Sequence, residues 1–474
     1  MSAASDLLEL SLCEAARLVK ARSVSPLELV DAALARIAAH DQRLHAYIEV
    51  FATQAREVAA AMTQLAAAGH VLGPLHGVPI ALKDNIAVEG FATSAGSKIL
   101  AGSVARDDAT VAARLRQAGA IFLGRLNMHE FAWGGTSANP HYGTVANPWN
   151  PTRFAAGSSG GSGAAVAARM CYGALGTDTG GSIRLPAAIN GVCGIRPTYG
   201  RVSNHGIVPL AWSMDTAGPL ARSAADCAAL FNVIAGHDRR DPSTSEQPLE
   251  ELWVDSENVV KGLRIGVIPG YFDHGVQAPV KAAVARALDT LVAMGAQIVE
   301  VSIANIAQNI SAQLTIEAAE PSTYHQQWLR SRPQDYGDDV RTLLEVGELL
   351  PATHYLQAQR YRSVLRRDFL AAFRKVDVFI CPTLPFTATP LGDTTVVIEN
   401  GVAEDMLSAI MRFTGIPSLT GLPALSAPCG FDADGLPIGM QIIGAPFTEN
   451  YLLGIAAAYQ QHTDFHRCAP ALGA

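Results

Sequence analysis

The chain has 474 residues, 49% of them hydrophobic and 16% charged. This composition supplies a large buried core and excludes disorder as the main state, because disordered chains are poor in apolar residues and rich in charge. Lys and Arg number 35 against 43 Asp and Glu, a net charge of −8 without a basic run, so there is no electrostatic footprint for nucleic acid or an anionic membrane surface.

At about 150 residues per domain the length allows three domains, or one large α/β domain. The first twenty residues lack a basic segment followed by an apolar one, so no signal peptide is expected. No apolar run approaches the ~20 residues of a spanning helix. Cys13, Cys171, Cys193, Cys227, Cys381, Cys429 and Cys468 are scattered without a CxxC pair. They read as reduced thiols in a cytoplasmic protein.

Ser25-Pro26-Leu27-Glu28 forms a capping box with proline at the first helical position. Leu27, Val30, Leu34 and Ile37 then recur on one helical face. Gly73 to Gly77 punctuates, and Val78 to Leu82 reads as a short strand ending at Lys83. Thr110 is expected to cap a helix reaching Gln117, with a strand at Ala120 to Gly124. Strands alternating with helices predict a parallel or mixed sheet with helices on both faces. The polar, turn-rich stretch Asp238 to Gln247 is the strongest boundary signal. Beyond it come a strand (Leu263 to Ile268), a helix (Val280 to Met294) and a strand (Gln297 to Val301). Residues 305–375 read as mostly helical. Short strands return at Val376 to Ile380, Ala424 to Ala427 and Met440 to Ile443.

Residues 134–220 are unusually rich in Gly, Ser, Thr and Asn, and long loops of this kind tend to be functional. The run Ala156-Gly157-Ser158-Ser159-Gly160-Gly161-Ser162-Gly163 lacks the Gly-Lys-Ser/Thr ending of a phosphate loop. It matches a nucleophile elbow, G-x-S-x-G, around Ser159. That motif needs a preceding central strand, and Pro148 and Pro151 argue against one. A second run, Gly176-Thr177-Asp178-Thr179-Gly180-Gly181-Ser182-Ile183-Arg184, places a serine after two glycines. Consecutive glycines let main-chain N–H groups converge on one locus, as an oxyanion hole requires. A serine needs a base to become a nucleophile. Lys83, following an apolar strand, could serve, since burial favours the neutral amine. His129-Glu130 is followed by Trp133 and not by a second His, so H-E-x-x-H is absent and no zinc is expected.

Together, Gly77-Val78-Pro79 through Lys83-Asp84, the 156–162 loop and the 176–187 loop resemble the amidase signature family. Leu126 to Ala132, Gly194 to Ser203, Asp215 to Arg222 and the segment from Gly421 to Gln441 extend the resemblance over most of the chain. Residues 245–375 are least family-like. The resemblance implies a single domain over 1–474, with a signature core at 75–220 and a more variable, largely helical region at 245–375 shaping the substrate entrance. It implies an α/β/α sandwich with a large mixed, mostly parallel twisted sheet. It also implies a Ser–Ser–Lys relay: Ser182 as nucleophile, Ser158 as bridging serine behind a cis peptide bond, and Lys83 as base. N–H groups of Thr179, Gly180, Gly181 and Ser182 would hold the oxyanion, and Asp178 and Arg184 would orient the loop. Met128, Trp133 and Gly157 are the expected substrate-binding positions, with core packing an equal reading for Met128, Phe131 and Trp133. Ala156 departs from the family's usual glycine, which puts loop geometry in question without removing a reacting group. Cys193 reads as a small buried hydrophobe, and Arg360, Arg362, Arg366 and Arg367 as a solvated helix face.

The leading expectation is an amidohydrolase acting on a small-molecule carboxamide, anilide, carbamate or ester without a cofactor. The alternative is the glutaminase component of a tRNA-dependent amidotransferase, delivering ammonia to a partner subunit. Homodimer formation is an open expectation. A non-catalytic scaffold predicts a lost catalytic residue, and none is lost. Specificity is expected to reside in 125–150, 305–370 and 390–420.

Overall fold

A computed structural model describes residues 7–249 and 257–472. In chain order the strands are β1 (Tyr47–Val50), β2 (Pro79–Lys83), β3 (Ile121–Leu126), β4 (Ala146–Asn147), β5 (Asn150–Phe154), β6 (Gly173–Asp178), β7 (Cys193–Arg196), β8 (Thr216–Ala221), β9 (Arg264–Val267), β10 (Gln297–Glu300), β11 (Val378–Pro382), β12 (Thr395–Val397), β13 (Ala403–Asp405), β14 (Ala424–Phe431) and β15 (Pro437–Gly444). Among the described residues eleven of these form one mixed sheet, ordered β1-β3-β2-β6-β8-β7-β14-β15-β11-β9-β10. Its parallel pairs lie in two blocks, β3-β2-β6 and β11-β9-β10. The centre from β6 to β11 and the β1–β3 edge are antiparallel. Each parallel block contains a helical crossover, Thr110–Gln117 between β2 and β3 and Ala278–Ala293 between β9 and β10, as parallel neighbours require.

Alternate residues of a strand face opposite sides, and the core follows that rule. Ile80 and Leu82 belong to one apolar cluster, Ala81 to another. Helices Leu12–Lys20, Ala224–Ile234 and Glu449–Gln461 contribute to the first, and Pro26–Leu44, Ala52–Ala67 and Gly160–Ala167 to the second. The capping box is present: Ser25 Oγ accepts from Glu28 N at 3.2 Å and Glu28 Oε2 accepts from Ser25 N at 2.8 Å.

Three expectations are corrected. Thr110 is the first helical residue and caps nothing; its hydroxyl donates to Asp238, and Ala109 holds the N-cap position. The Asp238 to Gln247 stretch is strapped to the core. Ser245 N donates to Gly200 O at 2.8 Å, Arg201 Nη1 to Gln247 O at 2.7 Å, and Asp241 Oδ1 accepts from Ser243 N at 2.9 Å. Its polarity comes from Asp side chains satisfying a tight turn. In the arginine run, Arg362 donates to Ser213 Oγ at 3.0 Å and Ser213 O at 2.7 Å, and Arg366 donates to Thr420 O. These two guanidinium groups fasten helix Ala352–Ala372 to the body.

Two parallel neighbours position the site. β2 and β6 pair with Leu82 opposite Leu175, so their C-terminal ends open on the same edge of the sheet. Lys83 ends one strand and Thr177-Asp178 ends the other. Crevices at the carboxyl ends of parallel strands are the usual ligand positions of α/β sheets.

Candidate active site

Lys83 is fully buried. Its Nζ donates to Ser158 Oγ at 2.8 Å and to Thr177 Oγ1 at 2.8 Å. Asn85 Nδ2 holds Thr177 Oγ1 from the other side at 3.1 Å. Burial pulls the Lys83 ammonium down to about 7, against the opposing carboxylates of Asp215 and Asp178. A lysine of this kind is half neutral near pH 7.

Ser158 enters from the segment before helix Gly160–Ala167, and the Gly157–Ser158 peptide bond is cis. Its carbonyl accepts from His129 N at 3.1 Å. Ala156 has φ 56, in the left-handed region that costs an L-residue about 1–2 kcal/mol. The family's usual glycine at this position therefore has a backbone reason, and the substitution leaves the Lys83–Ser158 contact in place. Ser159, the elbow candidate, instead fastens the two loops together. Its Oγ donates to Thr177 O at 3.1 Å, and its N–H donates to Ser182 O at 3.2 Å. Pro151 lies in the two-stranded β4–β5 ribbon, outside the main sheet.

Ser182 sits between β6 and helix Arg184–Asn190, 7% exposed. Among the described residues none hydrogen-bonds its hydroxyl, which lines a cavity. The loop carrying it is wound around Asp178. This carboxylate accepts from Arg184 Nε at 3.0 Å, Arg184 Nη2 at 2.8 Å, Arg196 Nη1 at 3.1 Å, and the N–H groups of Gly181 at 3.0 Å and Ile183 at 3.1 Å. Burial alone would raise the Asp178 carboxyl; Arg184 and Arg196 overcome it and hold the group well below the usual carboxylate range. The Gly181 N–H, expected among the oxyanion donors, is thus already engaged. No acceptor among the described residues is placed on the N–H groups of Thr179, Gly180 and Ser182. Gly181 has φ +134, and a Cβ there would lie 2.4 Å from Thr414 Oγ1; one at Gly180 would lie 2.4 Å from Gln313 Nε2. Neither position accepts a side chain without displacing its neighbours. Thr179 Oγ1 donates to Asp215 at 2.5 Å, and burial pushes the Asp215 carboxyl up to about 6.

Two spaces with shared walls lie beside the Ser182 loop. An inner niche of about 20 Å³ is lined by Gly180, Ser182, Leu185, Leu210, Glu317 and Met411. That is room for one water-sized group. An outer cleft of about 340 Å³ is lined by residues including His129, Phe154, Asp339 and Ile410. Trp133, Gly134, Gly135 and Leu407 border both. Met128 and Gly157 line neither space. Met128 is fully buried in a cluster with Phe131 and Leu210, and Gly157 packs against Ser137, whose N lies 2.8 Å from where a Cβ would be. Segments 125–150, 305–370 and 390–420 all contribute lining residues. His129 Nε2 lies 2.9 Å from Asp339, and Glu130 is bonded by Ser97, His141 and Gly337 N. Cys193 is buried in the main cluster.

Sequence reasoning missed Thr177, Asn85, Arg196, Asp215 and Glu317. Thr177 and Asp215 lay inside quoted motifs but carried no distinguishing signal. Glu317 had none, because a single Glu in a helix reads as a solvated charge.

The amidase family model matches residues 28–453. A glutamyl-tRNA(Gln) amidotransferase chain of Thermosynechococcus vestitus is 40% identical over 473 residues, covering 94% of this chain and 97% of the relative. Among solved structures, one reported as "An unexpected vestigial protein complex reveals the evolutionary origins of an s-triazine catabolic enzyme" superposes with TM-score 0.90 at 37% identity, covering 96% of this chain and 98% of that one. Another, reported as "Crystal structure of amidase", gives TM-score 0.87 at 36% identity, covering 96% and 100%. A match of this extent places the protein in the amidase family.

Proposed function

We propose that the chain hydrolyses an amide C–N bond through an acyl-enzyme formed on Ser182. The observation that carries this reading is the buried, hydrogen-bonded Lys83–Ser158 pair beside the Gly180-Gly181-Ser182 turn. Neutral Lys83 takes the Ser158 proton as Ser158 takes that of Ser182. Ser182 Oγ bonds to the substrate carbonyl carbon, and the N–H groups of Thr179, Gly180 and Ser182 receive the oxyanion. The amine leaves with the proton returned along the same path. Water then adds to the acyl ester, and the acid departs. Catalytic hydrogen bonds are often loose without substrate and tighten in the complex, which suits a Ser182 hydroxyl free to turn toward Ser158.

The sign of the pH dependence follows from Lys83. Its ammonium form cannot accept a proton, so kcat/KM is expected to rise about tenfold per unit below pH 7 and to level off above about 7. A rate falling steadily from pH 6 to 9 would point to another base.

The curated relatives favour a second setting for the same chemistry, the ammonia-supplying component of an amidotransferase working with partner subunits. The support is the 40% identity over nearly the whole length of such a relative. The seven cysteines are free thiols, which suits a reducing cytoplasm in either setting. Ammonia release by the purified single chain, measured on aliphatic carboxamides and on glutamine, separates the two. Turnover of simple carboxamides supports the free-standing hydrolase. Glutamine turnover only when a partner subunit is co-expressed supports the amidotransferase.

A further inference from the structure

Glu317 is the one buried ionisable side chain of the inner niche that the reaction above does not use. It lies on helix Asn309–Ser331, 1% exposed, with Ser182 and Gly180 bordering the same space. Its Oε1 accepts from Gln313 Nε2 at 2.9 Å and lies 2.8 Å from where a Cβ on Gly180 would be. No described residue hydrogen-bonds Oε2. Apolar side chains of Leu185, Leu210, Leu407 and Met411 make up most of the rest of the niche, with Trp133, whose indole N–H has no partner among the described residues, also on its wall.

The charged groups around Glu317 set its protonation. Burial raises its carboxyl, the Gln313 amide opposes, Asp215 and Asp178 add to the rise, and Arg196 opposes; the result is a carboxyl pushed up to about 8. With Oε1 occupied as an acceptor, the proton of the neutral acid resides on Oε2. A protonated carboxyl is a hydrogen-bond donor, and a buried donor without a partner is costly. A methyl group in the niche would leave it orphaned, whereas an oxygen would satisfy it. Sites built to hydrogen-bond a substrate group discriminate strongly against analogues lacking it.

We infer that Glu317 is a specificity-determining residue that selects short amides carrying an uncharged hydroxyl or carbonyl oxygen on the acyl side, which its carboxyl Oε2 contacts in the niche beside Ser182. This rests on the amide-hydrolysis reading. The niche volume limits the group to a single small oxygen function close to the scissile carbonyl.

Matched pairs that exchange OH for CH3 at constant size test this: 2-hydroxyacetamide against propanamide, and 3-hydroxypropanamide against butanamide. The ratio of kcat/KM values within a pair, on one preparation, is independent of how much enzyme is folded. The wild type is expected to favour the hydroxylated member about tenfold or more at pH 7, and to keep that preference above about pH 8, where the ionised carboxylate accepts from the substrate hydroxyl. Glu317→Leu brings the ratio to one or below. Glu317→Gln keeps Gln313 bonded and still donates, so it retains most of the preference. A wild-type ratio near one, or an unchanged ratio in Glu317→Leu, overturns the assignment while leaving amide hydrolysis standing. Absence of turnover on every pair, with a fluorophosphonate labelling wild type and Ser182→Ala equally, overturns amide hydrolysis and this inference with it.

Discussion

Replacing Ser182 by alanine is expected to lower kcat for carboxamide hydrolysis by about 10⁴-fold or more, because the atom that bonds to the acyl carbon is gone. Replacing Lys83 by alanine should fall in the same range. It removes the base and leaves Ser158 Oγ and Thr177 Oγ1 without the donor that each meets at 2.8 Å. Ser158→Ala should cost less, about 10²- to 10⁴-fold, the usual worth of a positioned proton carrier. The double variant Lys83→Ala/Ser182→Ala should be no slower than either single one, since groups acting as one unit are not additive. Ammonia release at saturating substrate measures all four. Turnover of Ser182→Ala within tenfold of wild type would exclude the acyl-enzyme route. A Lys83→Ala variant that kept the wild-type pH profile would exclude the lysine as base.

The second large effect belongs to Asp178 and is one of stability. This carboxylate is fully buried between two fully buried guanidinium groups, Arg184 and Arg196. Burial pulls Arg196 down to about 10, which still leaves it cationic at neutral pH. Asp178→Ala therefore strands buried positive charge. Breaking a buried ion pair by removing one partner typically costs about 3–5 kcal/mol, a large part of the ~5–15 kcal/mol that holds a domain folded. Arg184 retains Gln441 Oε1 at 2.5 Å and Ser418 Oγ at 2.8 Å, and Arg196 retains Met214 O at 2.7 Å. These acceptors are neutral and do not replace the charge. The midpoint of urea unfolding, followed by circular dichroism, should drop accordingly, and the loop should lose activity even where the fold survives. An unchanged midpoint would mean that the triad of charges contributes no net stability. Asp178→Asn should lie between the two, because an amide can accept from one Arg but leaves both charges unbalanced.

The two experiments address different layers of one design. Lys83 is tuned by what surrounds it, the burial that pulls its ammonium down to about 7 and the two hydroxyls that it meets. The Ser182 loop is shaped by Asp178, which takes the Gly181 and Ile183 N–H groups inward. That choice leaves the N–H groups of Thr179, Gly180 and Ser182 without an acceptor among the described residues. A carboxylate two residues before the first glycine thus already holds one of the four N–H groups that the family resemblance assigns to the oxyanion.

How much was legible beforehand depended on the length scale over which the information acts. The helix at Pro26–Leu44, the strand ending at Lys83, the two serine loops and their order along the chain are local. Capping, alternation and turn residues write them into short stretches. The sheet order, in which β6 lies between β2 and β8 and places Thr177 and Asp215 around the lysine, is not local. Nor is the position of Glu317, which borders the same niche as Ser182 from a helix 135 residues further along the chain. Arg362 and Arg366 show the same limit: four arginines in one helix read as a solvated face until the partners, Ser213 and Thr420, are brought up from elsewhere. Of the two readings open for Met128, pocket or core, the fold shows the core one, a choice that the sequence leaves open because an apolar side chain beside a loop packs into either with equal ease. The candidate reacting groups and the turns that carry them could be read along the chain, because short-range backbone preferences and side-chain chemistry suffice for those. Which charges face the lysine, which N–H groups stay free and what closes the niche emerged with the folded arrangement alone, because burial and Coulomb interactions depend on neighbours that the chain order does not reveal.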